Sequence, residues 1–215
     1  YGQPDAWHGI GAFELLVVTE NNLTIPTSLA NAQWERQLRD GRREELRRWL
    51  DNAWSRGNGG RGTPLIYYTN WPAHGDFAPS SSWRQRLADN EVEWLARVAY
   101  AEANKTTSAP PIRIIPGNAL MMRLYDDADS GRVPGLQSAS AFLSNRSGWW
   151  ADDVHAAGYL NLALAYLHLA VIHQVDVRTL PHRGLGLSHE PNAALASYLK
   201  STVMSVVGSY PYAHR

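Results

Sequence analysis

The chain has no cysteine. Disulfide frameworks, thiolate nucleophiles and cysteine-ligated zinc are therefore excluded. It also lacks an excess of either charge: 20 basic and 20 acidic residues cancel. Nucleic acid and anionic membrane are not expected partners of such a balance. Lysine is nearly missing, with Lys105 and Lys200 against eighteen arginines. No H-E-x-x-H occurs, His168 and His173 point to different helix faces, and His74, His182, His189 and His214 are scattered, so no metal centre is expected. No apolar stretch is clean enough for a membrane span. The longest, over 156–175, approaches the ~20 residues a span needs, but Asn161, His168 and His173 interrupt it, and such groups are costly in lipid. The opening YGQPDAWHGIG has neither a basic n-region nor an apolar h-region. It does not begin with Met, which suits a mature or trimmed product. The compartment stays open, with a secreted or periplasmic setting favoured.

What is present fits one domain over 1–215. The 44% hydrophobic content supports a core, and nine Trp and ten Tyr supply large side chains for packing or for a concave site. Short runs rich in branched aliphatic and aromatic residues, FELLVVT at 13–19, PLIYYTN at 64–70 and IRIIP at 112–116, predict buried strands. Helical spacing predicts helices over 34–54, 83–104, about 118–128, 156–175 and 193–207. Ser80 to Ser82 offer an N-cap to the second of these. Strand–helix alternation predicts an α/β fold with a parallel sheet. Sites in such folds gather at the carboxyl ends of strands: here TENN, TNWPAH and PGN. RGNGGRG at 56–62 reads as a flexible turn, because it lacks the ending of a phosphate loop. The arginines of 36–48 alternate with acids and read as a solvated, ion-paired face.

The segment DDVH, directly before the most apolar run, raises a chemical question. Asp152 and His155 are three residues apart. At a loop-to-helix junction, a carboxylate at that spacing can orient an imidazole and stabilise its protonated form, as in half of a serine-hydrolase triad. The competing reading makes Asp152 or Asp153 a helix cap, with His155 in the first turn.

In the order ELLVVTEN, LIYYTNWPAH, IRIIPGNALMMRLYDD, DDVHAAGYLNLALAYLHLAVIH, the sequence resembles the SGNH (GDSL-type) hydrolases over nearly its whole length. The D-x-x-H helix is the specific element. The resemblance implies a three-layer α/β/α sandwich with a flavodoxin-like parallel sheet, esterase or carbohydrate-deacetylase activity, and no cofactor. It makes His155 the catalytic base, Asp152 its orienting acid and Asp153 a bystander. Asn21 takes the place of the oxyanion-hole asparagine, although Thr19 and Asn22 replace the glycine and aspartate of that motif. Trp71, His74 and Trp149, beside the presumed active edge, are candidates to line a substrate pocket.

The nucleophile motif is missing: there is no G-D-S and no G-x-S-x-G. Ser188 lacks the strand and sharp helix start of a nucleophile elbow. The expected domain is thus an SGNH-like domain without its N-terminal strand and serine segment. The serine would come from elsewhere, with an N-terminal fragment as the partner. Candidate substrates are small esters and O-acetylated glycans. The alternatives are a non-catalytic SGNH-like module that binds glycan or a partner chain, and an unrelated flavodoxin-like binding domain.

Overall fold

The aliphatic and aromatic runs read above form three short strands in a computed structural model, which describes residues 9–20, 32–75, 80–146, 148–181 and 190–214. Between 32 and 38 only the backbone is described. The elements are β1 (Leu16–Thr19), α1 (Ala32–Arg56), β2 (Leu65–Tyr68), α2 (Ser80–Asn104), β3 (Arg113–Ile115), α3 (Gly117–Asp129), α4 (Ala139–Ser144), α5 (Gly158–Ile172) and α6 (Ala193–Ser209). The fold is mixed α/β. The strands pair in parallel in the order β1–β2–β3, with Leu16 opposite Leu65 and Ile66 opposite Arg113. All three carboxyl ends therefore share one edge.

Burial follows position in the sheet. In β2, Leu65, Ile66 and Tyr67 are buried, as a strand covered on both faces requires. In β1, burial alternates and Val17 is 40% exposed. The edge of β1 away from β2 pairs with no strand among the described residues. Adjacent tyrosines of β2 meet different helices. Tyr67 packs edge-on against Trp94 of α2, at 5.3 Å between ring centroids. Tyr68 packs against His168 of α5, at 4.8 Å.

The connection from β3 into α3 is built for close approach. A Cβ on Gly117 would lie 2.5 Å from the Thr69 carbonyl. Without one, the Asn118 N–H donates to that carbonyl at 3.0 Å, and the Asn118 side-chain amide donates to Leu87 O and Glu91. This ties the ends of β2 and β3 together.

The charged face of α1 is less solvated than its composition suggests. Arg43 reaches across to Glu93 of α2 at 3.0 Å, and Arg47 bridges Glu44 and Asp51. Asp51 also receives the backbone N–H groups and hydroxyls of Thr106 and Thr107. Burial pushes its carboxyl up, but the Thr106 and Thr107 hydrogen bonds outweigh this and hold it below its ordinary value of 3.8. A depressed carboxyl contributes stability that is present above that value and lost as pH falls through the lower, folded one. Asp51→Asn is expected to cost about 2 kcal/mol at neutral pH. In urea titrations the gap from the wild type should shrink below about pH 4.

The elements were anticipated in type and order, with differences at their ends. β1 starts at Leu16, because residues 13–15 lie outside the pairing with β2. The second helix begins at Ser80, one turn early, so Ser81 and Ser82 lie inside it. The apolar helix spans Gly158–Ile172, shorter than 156–175. No helix of the described residues is long and apolar enough to cross a membrane. The six-residue α4 was not expected; it is too short to show a helical period.

Candidate active site

The residues before α5 fold back on themselves. Trp150 and Ala156 form an antiparallel bridge, the Ala151 N–H donates to His155 O at 2.8 Å, and the Ala157 N–H donates to Trp149 O at 2.8 Å. Trp149 and Trp150 are buried and anchor the base of this loop, with Phe142 packed edge-on against both. Gly158 is required where the loop enters α5. Its φ is +41°, and a Cβ there would lie 2.5 Å from the Gly148 carbonyl. Residues 152–155 form the tip.

The tip is an aspartate-stabilised turn. One carboxylate oxygen of Asp152 accepts the N–H of Val154 at 2.8 Å and of His155 at 2.7 Å. The other meets His155 Nδ1 at 2.6 Å. The Asp152 carboxyl is held far below the usual carboxylate range by the His155 N–H first, then the Val154 N–H, then the ring. It is ionised and can only accept, so a proton on Nδ1 faces it, and in the neutral ring this tautomer leaves the lone pair on Nε2. That is the tautomer a general base needs. The His155 side chain is 74% exposed, and no hydrogen bond to Nε2 is found among the described residues. The helix-cap reading is overturned: α5 starts at Gly158, its N-cap is Ala157 with no side-chain bond, and Asp152 caps its own turn.

The tip sits at the carboxyl end of β2. The Trp71 indole N–H donates to Val154 O at 3.0 Å, and the His74 N–H donates to Asp153 O at 2.8 Å. The Asp153 carboxylate pairs with Arg146. Three residues expected to line a pocket, Trp71, His74 and Trp149, are all buried. His74 stacks edge-on between Trp83 and Trp150. Burial pushes its imidazole pKa down against the pull of Asp153, and its Nε2 has no hydrogen-bond partner among the described residues. The structure places these three in packing around the dyad loop, not on an open wall.

Asn21 lies outside the described residues, as do Ser188 and His189. Its neighbour Glu20 is firmly anchored. Glu20 O accepts the Asn70 amide at 2.6 Å, and its carboxylate accepts the Tyr67 hydroxyl at 2.9 Å and pairs with Arg97. Arg97 is 1% exposed, lies 4.9 Å from the centre of the Trp94 ring, and also meets Glu93. Burial raises the Glu20 carboxyl pKa despite the opposing Arg97 charge. Sequence reading missed this buried network. Its one outward sign was a glutamate placed directly at a strand's carboxyl end.

Among the described residues, no three His, Asp or Glu side chains converge as metal ligands. An open groove of about 500 Å³ runs between α3 and α6, lined by Arg123, Asp127, Arg132, Tyr198, Ser201 and Thr202, among others. None of these belongs to the dyad loop or to the loop after β2. No family model matches this chain, and no curated protein or solved structure matches it.

Proposed function

We propose that this chain is the larger C-terminal part of an SGNH-type serine ester hydrolase, acting on small esters or O-acetylated glycans. The observation that carries the reading is the 2.6 Å contact between His155 Nδ1 and an Asp152 carboxylate fixed by two backbone N–H groups, with the ring largely exposed and Nε2 unbonded among the described residues. The fold in this reading is a three-layer α/β/α sandwich. Tyr67 meeting α2 and Tyr68 meeting α5 supports it, because successive strand side chains point to opposite faces.

The chemistry follows from the tautomer. A serine hydroxyl from outside this segment attacks the ester carbonyl carbon while His155 Nε2 takes its proton. The imidazolium, stabilised by Asp152, then returns that proton to the departing alkoxide. Water repeats the sequence and releases the acid. Asn21, next to the anchored Glu20, would donate its amide to the oxyanion. The edge of β1 that pairs with no strand among the described residues is where one more parallel strand, carrying the serine, would add. That edge, with Val17 exposed on the strand, is a pairing liability if left open.

The second reading is a non-catalytic module that binds glycan or a partner chain. It is favoured by the absence of any serine hydrogen-bonded to His155 among the described residues. A fluorophosphonate probe separates the two. Protein purified from its native source is expected to show label on a serine-bearing segment associated with this chain, together with aryl acetate hydrolysis. Absence of both label and hydrolysis would refute the hydrolase reading.

A further inference from the structure

We infer that Trp71 is a positioning residue for the Asp152–His155 dyad: its indole N–H, together with the His74 backbone N–H and the bare α-carbon of Gly75, seats the dyad turn on the carboxyl end of β2. The catalytic part of this inference rests on the hydrolase reading above; the structural part does not.

Within the loop, the tip is held by the Asp152 turn bonds and the Arg146–Asp153 ion pair. Asp152, Asp153 and His155 are exposed, so burial of their own side chains does not fix them. The antiparallel bridge at Trp150 and Ala156 secures the base and stops short of the dyad. Two carbonyls of the tip are instead captured from the loop after β2. Val154 O receives the Trp71 indole at 3.0 Å, and Asp153 O receives the His74 N–H at 2.8 Å. An indole nitrogen only donates, and Trp71 is 8% exposed with its ring 6.3 Å from that of Trp150. The donor is thus delivered by a rigid, packed side chain.

Gly75 supplies an independent handle on the same turn. A Cβ at this position would fall 2.5 Å from Asp153 Cγ and 3.0 Å from its Cβ. Its φ lies outside the left-handed region, so alanine is compatible with the backbone there and would act by pushing Asp153 away. One substitution releases the turn and the other displaces it. Both act through the Val154 carbonyl or the Asp153 side chain, and alter neither the ring nor the carboxylate of the dyad.

Trp71→Phe keeps the ring and removes the N–H. In the intact protein this variant is expected to raise amide hydrogen exchange at Val154 and His155 about tenfold or more, while α2 and α5 exchange as in the wild type. The Asp152 carboxyl, followed by carbon NMR, should titrate closer to an ordinary aspartate. Ester turnover should fall roughly 10- to 100-fold in kcat with KM little changed, because small misplacements of reacting groups are costly. If Trp71→Phe does not fold, Gly75→Ala provides the same readouts. Unchanged exchange and an unchanged Asp152 titration overturn the inference, whatever the activity. A loosened turn in a protein that hydrolyses no ester even as wild type leaves the clamp standing and removes the hydrolase reading.

Discussion

His155→Ala is expected to lower kcat/KM for an aryl acetate by roughly 10⁴ or more, measured with the serine-bearing segment present. In the proposed reaction the ring would take the serine proton and return it to the leaving oxygen, so its loss would remove both transfers. The fold should be indifferent. The side chain is 74% exposed, and among the described residues its one hydrogen bond is to Asp152. Asp152 would keep the N–H groups of Val154 and His155, which are backbone donors. A melting temperature within about 2 °C of the wild type is expected, as for other exposed substitutions. Asp152→Asn should cost nearly as much activity. An amide can donate to the ring and so favour the wrong tautomer. Activity within tenfold of the wild type in His155→Ala would remove the assignment of the base.

Arg97→Ala is expected to cost about 3–5 kcal/mol at neutral pH, the range for removing one partner from a buried charge network. The guanidinium is enclosed, and the variant leaves the Glu20 and Glu93 carboxylates in the interior without it. The pH dependence has a definite sign. Burial already raises the Glu20 pKa in the presence of Arg97, and removing the cation raises it further. A carboxyl with a raised folded pKa binds its proton more tightly folded than unfolded, so stability falls as pH rises through that value. The penalty should be largest at neutral and alkaline pH and partly relieved under acid conditions. Urea unfolding at two pH values would show this, as would a melting temperature lower by roughly 10 °C. A loss below about 1 kcal/mol would mean that the network is not stabilising. On the hydrolase reading, the same variant should also reduce ester turnover, because Glu20 directly precedes the proposed oxyanion residue Asn21.

Arg97 also shows why the network was not legible. The apolar face of α2, with Trp83, Leu87, Trp94 and Val98, is plain in the sequence and is buried. Asn90, Glu93 and Arg97 flank that face and are buried too. Their helical spacing is just as regular, but polar residues at that spacing normally mark a solvated face. What buries them is α1, which sends Arg43 to Glu93, and the end of β1, which sends Glu20 to Arg97. The one trace of either approach in the sequence, a glutamate directly after a strand, does not say which side chain it meets.

Local pattern alone determined the strands, the long helices and the reach of one carboxylate to one imidazole. Each depends on residues close in the chain: alternation for a strand, turns of 3.6 for a helix, three positions for the Asp152 turn. Only the tertiary structure decided that Asp152 leaves α5 uncapped, that the His155 side chain is largely exposed, and that Trp71 is buried beneath the loop that carries the dyad. The last of these rests on a hydrogen bond between residues 83 positions apart. Contacts at such separation form only when strand order brings the loop after β2 to the approach of α5, and a one-dimensional pattern carries no measure of that distance.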